Sequence, residues 1–235
     1  MIWIYGDSYL DDQYKKKSKI VPWFERFGPT KNFAKKGTGP QYAFKHFHNT
    51  EKDIKENDII IFCLSEITRI NWLEIVETEW GDSEISSSSE LSYNLEEGMY
   101  IHSDNILDKV DLKFARKFYE TYYDELEKLN EKNVSYLSFL TDEKKCNCFI
   151  ILYDRLTRNI NNLNRKNFYI HDRSMHQISY VEDTLEHMEH KNHLSVEKHD
   201  IMENVFNDFL NDDLKELIHY WGETKPKPNK KFIYQ

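Results

Sequence analysis

The fold of this chain is decided by its first ten residues, Met1-Ile-Trp-Ile-Tyr-Gly-Asp-Ser-Tyr-Leu10. Residues 2–5 are an apolar run of β-prone side chains, which predicts a strand. The run stops at Gly6, and Asp7 and Ser8 follow it directly. Open α/β sheets place their ligand chemistry just beyond the carboxyl ends of the strands. Gly, Asp and Ser are also favoured in plain turns, so both interpretations stay open for this stretch alone.

A second candidate feature lies near the other end of the chain. Asn192-His193-Leu194-Ser195 leads to His199 and then to a helical pattern. A serine at the end of the first strand and a histidine before the last helix could act as nucleophile and general base. The two motifs together could form a nucleophile–base pair from distant parts of the sequence.

These motifs resemble those of the SGNH, or GDSL-type, hydrolases. Ile4-Tyr5-Gly6-Asp7-Ser8 is similar to the first motif of that family, and His193-Leu194-Ser195 with His199 is similar to the last. The resemblance implies an α/β fold of three layers (α/β/α), with a mostly parallel central sheet of SGNH/flavodoxin-like type. It also implies ester cleavage by a Ser-His-Asp triad or a Ser-His dyad, without a cofactor or a bound metal.

The resemblance assigns a role to each matching residue. Ser8 is the nucleophile and His193 is the base. The backbone amides of Ser8 and Gly37 hold the oxyanion, because Gly37 is the glycine that best matches the one after the second strand of the family. The family's Gly-x-Asn-Asp motif is absent after the third strand, and Ser65 or Thr68 is a candidate for the missing donor. A third candidate is Asn71.

Further residues are predicted around this site. Asp7 and Arg69 are candidates for substrate binding, and Arg69 could stabilise developing negative charge. The acid of the family stands three residues before the histidine, where this chain has His190. An acid from elsewhere could orient His193, or the site could work as a dyad. The candidate acids are Asp172, Asp183 and Glu189.

Length and charge limit the possible classes of protein. The 235 residues suit one domain over 1–222, with an inserted loop or lid around 74–110 and a tail over 223–235. The formal net charge of −9 argues against nucleic acid as a partner. There is no apolar stretch of about 18 residues and no basic-then-apolar leader, so no membrane contact is expected and the cytoplasm is the expected compartment. The sequence makes no prediction of oligomeric state.

Hydrophobic patterns predict an alternation of strands and helices, which indicates a parallel sheet with right-handed crossovers. The clearest strand is 59–64, an unbroken apolar run typical of a central strand buried on both faces. Segment 146–153 reads as a strand, with a continued helix as its competitor. The other predicted strands are 2–5, 31–34 and 167–171. The predicted helices are 21–27, 41–48, a long one from 111, and one over 201–218.

The substrate expected from the resemblance is an O-acetyl or other small acyl ester on a carbohydrate or other small molecule. One alternative is a binding or scaffold protein that keeps the fold but is catalytically impaired. Another is a metal-dependent hydrolase using His187, His190 and His193, which are spaced three apart but lack an HExxH pattern. The three cysteines cannot all pair and are expected to be reduced thiols.

Overall fold

The computed structural model describes twelve stretches of the chain, which are 1–7, 9–11, 21–35, 38–65, 72–77, 83–88, 91–94, 98–101, 112–152, 163–171, 194 and 196–211. The strands in these stretches are β1 (Ile2–Gly6), β2 (Thr30–Asn32), β3 (Ile59–Leu64), β4 (Trp72–Glu77), β5 (Ser83–Ser88), β6 (Leu91–Asn94), β7 (Gly98–Ile101), β8 (Asn147–Leu152) and β9 (Phe168–Ile170). The α-helices are α1 (Pro40–Thr50), α2 (Leu112–Lys144) and α3 (Val196–Leu210). Short 3-10 helices lie at Trp23–Phe27 and Glu51–Asp53.

A parallel five-stranded sheet lies at the centre, with the strand order β2-β1-β3-β8-β9. Ile2 of β1 is in register with Thr30 of β2 on one side and with Ile59 of β3 on the other. β8 continues the sheet beyond β3, and β9 forms its far edge. The sheet and its helices confirm the predicted three-layer α/β fold.

The two faces of the sheet carry separate cores because alternate side chains of a strand point to opposite sides. Ile2 and Ile4 join a buried cluster with side chains of the Trp23–Phe27 helix and α3. Trp3 and Tyr5 join the other cluster, with side chains of α1 and α2. Residues 60–64 are buried, as the unbroken apolar run predicted for a central strand.

After β1, the chain adds a strand on one side of β1 and then continues the sheet on the other side. From β1 the chain passes through the Trp23–Phe27 helix to the edge strand β2, and α1 then leads to β3 on the other side of β1. Such a reversal is a topological switch point, and it opens a crevice at the carboxyl ends of the two strands. The end of β1 carries the Gly6-Asp7 pair into this region.

Several predicted elements differ from the observed ones in extent. Segment 146–153 contains strand β8 and not the competing helix. The helix predicted over 21–27 is a 3-10 helix that starts after Pro22 and stops at Gly28. The long predicted helix begins at Leu112 and continues to Lys144. None of the helices in the described stretches is long and apolar enough to span a lipid bilayer.

The region around 74–110, predicted as an inserted loop or lid, contains strands among the residues described there. β4 pairs with β5 in one antiparallel sheet, and β6 pairs with β7 in another. The serine run of β5 suggested a loop because serine is favoured in turns. Strand pairing uses backbone groups, and serine supplies these as well as any other residue. Ile75 of β4 is in register with Ile85 of β5. The role of this region as a lid stays a prediction.

Candidate functional site

Gly6 ends β1 in a conformation that requires glycine. Its φ is 156°, and a Cβ placed on it would lie 2.7 Å from the carbonyl oxygen of Cys63. A side chain here would therefore meet both backbone strain and a clash with β3. The missing side chain lets the carboxyl ends of β1 and β3 lie close together at the switch point.

The chain turns sharply after Gly6. The amide of Leu10 donates to the carbonyl oxygen of Asp7 at 3.2 Å, and the amide of Tyr9 donates to Asp7 Oδ1 at 3.1 Å. Asp7 is 1% exposed, so its carboxylate helps to shape the turn from inside the protein. Its predicted contact with substrate stays a prediction. Ser8, which follows Asp7, lies outside the described residues.

The thiol of Cys63 is the hydrogen-bonding neighbour of Asp7 across the sheet. Burial raises the pKa of this thiol well above its usual value, and the nearby Asp7 charge and the hydrogen bond to it raise the pKa further. Cys63 is therefore a protonated donor that supports Asp7, and not a nucleophile. Sequence reasoning missed this residue because it lies inside an apolar strand and 56 positions from Asp7.

The loop after β2 is attached to the same strand end. The carbonyl oxygen of Gly6 accepts hydrogen bonds from the Lys35 amide at 3.0 Å and from Thr38 Oγ1 at 3.3 Å. Thr38 Oγ1 also lies 2.7 Å from the carbonyl oxygen of Lys35, which closes the loop on itself. Gly37 stands between these two residues in sequence but lies outside the described ones. The loop that contains it is thus anchored beside the end of β1.

Ser65 follows β3 and completes this set of strand ends. Its side chain is buried, and its Oγ donates to the carbonyl oxygen of Thr38 at 3.0 Å. This bond ties the end of β3 to the loop after β2. A hydroxyl has one proton to donate, so Ser65 would have to break this bond before its side chain could serve an oxyanion. Its predicted role as the third donor stays a prediction.

Leu194 brings the far end of the chain into the core beneath this region. It is buried and belongs to the same cluster as Tyr9 and Leu10. Tyr9 follows Ser8 in sequence, and Leu194 follows His193. The chain neighbours of both predicted catalytic residues therefore share one buried cluster. Ser8 and His193 themselves lie outside the described residues, so their meeting stays a prediction.

The other predicted site residues also lie outside the described ones. They are Thr68, Arg69, Asn71, Asp172, Asp183, Glu189 and the histidines 187 and 190. Within the stretches that the structure describes, no group of three or more His, Cys, Asp or Glu side chains could hold a metal ion. The proposed histidine cluster falls outside these stretches, and the metal alternative is therefore untested.

His199 is a buried structural residue at the start of α3. Its Nδ1 accepts a hydrogen bond from the Trp23 amide at 3.4 Å, a contact between residues far apart in sequence. Next to it, Arg26 Nη1 lies 2.7 Å from Asp200 Oδ1 and also pairs with Glu203. These contacts hold α3 against the Trp23–Phe27 helix. His199 therefore packs α3 against this short helix, and the choice of His193 as the base stays a prediction.

His171, which follows β9, is a second buried histidine. Its ring lies edge-on to Phe149 at 6.1 Å and to Tyr169 at 6.3 Å between ring centroids, and its amide donates to the carbonyl oxygen of Ile150 at 2.8 Å. In the structure it is packed among aromatic rings of the sheet.

The cysteines are free, buried thiols, in agreement with the prediction of reduced side chains. Burial raises the pKa of Cys146 to about 11 and that of Cys148 well above its usual value. All three thiols are therefore protonated near neutral pH, and none has the reactivity of a catalytic cysteine.

Comparison with known proteins adds no family to this description. No family model matches the chain, and no curated protein matches it significantly.

Proposed function

We propose that the protein is a serine hydrolase that cleaves an ester by Ser-His catalysis, as its resemblance to the SGNH hydrolases implies. The observation that carries the proposal is the joining of strand ends around Gly6. Its carbonyl oxygen binds both Lys35 and Thr38, which flank Gly37, while Ser65 binds Thr38 from the end of β3. The strand end that leads to Ser8 and the residues on either side of 36–37 are thus attached to the same point of the sheet.

A second observation supports the approach of the base. Leu194 shares a buried cluster with Tyr9 and Leu10. Ser8 directly precedes Tyr9 and His193 directly precedes Leu194, so the proposed nucleophile and base each adjoin a residue of one core. The switch point between β1 and β3 is also where sheets of this order bind ligands.

In the proposed reaction, Ser8 attacks the carbonyl carbon of the ester while His193 takes its proton. The backbone amides of Ser8 and Gly37 stabilise the oxyanion of the tetrahedral intermediate. His193 then returns the proton to the leaving alcohol, and water releases the acyl group from Ser8 by the same sequence of steps. Asp172, Asp183 or Glu189 would orient His193, unless the pair acts as a dyad.

The proposed substrate is an O-acetyl or small acyl ester on a carbohydrate or other small molecule. The reaction needs no cofactor. The protein's acidic charge and its protonated thiols suit a small-molecule enzyme of the cytoplasm, with no nucleic-acid or membrane partner.

A catalytically impaired binding protein is the second candidate. Two predicted site groups already make hydrogen bonds within the fold, which favours this function. The Ser65 hydroxyl is bound to Thr38, and the Asp7 carboxylate is buried against the Tyr9 amide. If neither group is released for substrate, the chain keeps the fold but lacks the Ser65 donor to an oxyanion and the Asp7 contact with substrate.

Covalent labelling distinguishes these functions. The full chain is treated with a fluorophosphonate, and the adduct is mapped by mass spectrometry alongside turnover of p-nitrophenyl acetate. We expect labelling at Ser8, its loss in Ser8→Ala, and its retention in Ser135→Ala, which removes an exposed serine of α2. Absence of both labelling and turnover, while a control esterase reacts, would support the binding protein. Turnover that chelator abolishes, without labelling of Ser8, would support the metal-dependent alternative.

A further inference from the structure

The helix α2 is much longer than the sheet on which it packs. Its 33 residues span about 50 Å, whereas the six residues of β3 or β8 span about 20 Å. Its second half is held by the core through Val134, Leu137 and Leu140. In its first half, over residues 113–129, Tyr119 is the one buried side chain among those described.

Among the described residues, the exposed large apolar side chains concentrate on this helix. Six large hydrophobic residues are exposed in the described part of the chain, and four belong to α2. They are Tyr122, Leu129, Tyr136 and Phe139, with exposed fractions of 49%, 46%, 39% and 63%. At 3.6 residues per turn these four side chains, with Glu125 and Lys132 between them, fall within an arc of roughly 100°. We call these six residues the α2 stripe.

The α2 stripe is close to a palindrome about Leu129. Tyr122 and Tyr136 each stand seven positions from it, and Glu125 and Lys132 stand four before and three after. Reversing the helix therefore exchanges one tyrosine with the other and the acidic residue with the basic one. Farther from Leu129, Phe118 corresponds to Phe139 in the reversed helix. Phe118 is half-buried, and its ring lies 4.9 Å from that of Tyr122 between centroids.

We propose that the α2 stripe is the interface of a homodimer, in which two copies of the helix pack antiparallel about Leu129. A two-fold axis brings the same surface of each copy together, so it requires a surface that complements its own reversed image. The stripe meets this requirement in the order of its residues and in charge. Leu129 meets the partner's Leu129, each Tyr122 meets a Tyr136 of the other copy, and each Glu125 meets a Lys132 of the other copy.

The charges favour a second copy over an unrelated occupant. Glu125 already pairs with Lys128 of its own helix at 2.9 Å, so the contact with the other copy's Lys132 would extend an ion-pair network. The axis repeats this contact, which gives two cross-pairs per dimer. A parallel arrangement would instead place Glu125 against Glu125 and Lys132 against Lys132, which opposes association.

Sedimentation velocity of the full chain over a wide range of micromolar concentrations tests the proposal. We expect a dimer that dissociates on dilution. Glu125→Lys and Lys132→Glu alone should each raise the dissociation constant of the dimer about ten-fold. Each substitution places two pairs of like charges in contact across the two-fold axis. The double variant should restore association. Leu129→Glu should give a monomer, whereas Asp124→Lys, an exposed change outside the stripe, should leave association unchanged.

Disulfide cross-linking tests the direction of the helices. A Tyr122→Cys chain mixed with a Tyr136→Cys chain should form a cross-linked dimer on mild oxidation, and neither variant should do so alone. Circular dichroism checks that each variant is folded. A wild-type chain that stays monomeric at every concentration, a dimer unaffected by the stripe variants, or cross-linking of Tyr122→Cys with itself would overturn the proposal.

Discussion

The hydroxyl of Ser65 donates to the carbonyl oxygen of Thr38 across 3.0 Å, and this bond joins the end of β3 to the loop that leads into α1. The loop is bound from the other side by Gly6, through the Lys35 amide. Two adjacent strands of the sheet thus hold Lys35 and Thr38, which stand on either side of residues 36–37. We therefore expect the stability of the fold and the proposed chemistry to be coupled at this point.

Removing the Ser65 hydroxyl should therefore affect both properties. Ser65→Ala leaves the carbonyl oxygen of buried Thr38 without this donor, which should lower the free energy of unfolding by about 1–3 kcal/mol. It should also lower kcat, because the loop of the proposed oxyanion site loses an anchor. Urea unfolding and ester turnover measure the two effects. Ser135→Ala, whose hydroxyl bonds only to its own helix in the described contacts, is the control; equal effects of both variants would contradict the coupling.

Gly6→Ala tests the close approach of β1 and β3. The added Cβ would lie 2.7 Å from the Cys63 carbonyl oxygen at a φ of 156°, so we expect a loss of about 2–4 kcal/mol in unfolding free energy. Gly28→Ala is the matched control because its φ is 140° but nothing lies within 4 Å of the added carbon. Chemical denaturation should show a clearly smaller loss there. Similar losses at both positions would show that backbone strain alone explains the need for Gly6.

Gly37→Ala tests the proposed oxyanion loop. Contacts to an oxyanion strengthen in the transition state, so the variant should lower kcat far more than it raises KM. Steady-state kinetics with p-nitrophenyl acetate gives both constants, and circular dichroism checks the fold. An unchanged kcat would remove Gly37 from the site.

His193→Ala and His199→Ala separate the base from the packing residue. An imidazole base must lose its proton before it activates a serine, so kcat/KM should rise with pH through about 6 to 7, the range in which free imidazole titrates. His193→Ala should abolish this rise with nearly all activity. His199→Ala should keep it but lower the melting temperature, because the Trp23 amide loses its acceptor. A folded but inactive His199→Ala protein would reverse the assignment.

Asp58 makes the fold sensitive to acid. Its burial alone would raise the pKa, but hydrogen bonds from the Trp3 indole, the Lys55 amide and the terminal amine of Met1 hold the pKa below its usual value. Because the pKa of Asp58 is lower in the folded state, its carboxylate stabilises the fold fully at a pH above its pKa in the unfolded chain. This stabilisation is lost as the pH falls through its pKa in the folded state.

The difference in unfolding free energy between wild type and Asp58→Asn should therefore be largest near neutral pH and shrink below about pH 4. Urea unfolding at several pH values measures it. Asp53→Asn, which changes an exposed carboxylate nearby, should show little difference from wild type at any pH. A constant difference for Asp58→Asn down to strongly acidic pH would rule out the charge as its cause.

The parallel sheet was predictable because its central strands β1 and β3 are apolar runs, one ending in glycine and the other followed by serine. The residues of β1 and β3 show this clearly, and both strands were found where the sequence predicted them. The hairpins between 72 and 101 were not predicted. β5 is short and rich in serine, a residue favoured in turns, and its pairing with β4 uses backbone groups that a side-chain pattern does not report.

By itself, the sequence determined the fold class, the order of the main elements and the strand end at which Gly6 and Asp7 stand, since hydrophobic periodicity and glycine act locally. Only the tertiary structure decided that Ser65 binds Thr38, that Cys63 supports Asp7 and that His199 receives the Trp23 amide. Each of these contacts joins residues 27 or more positions apart, and the side chains meet because the strands and helices pack, which no local pattern encodes.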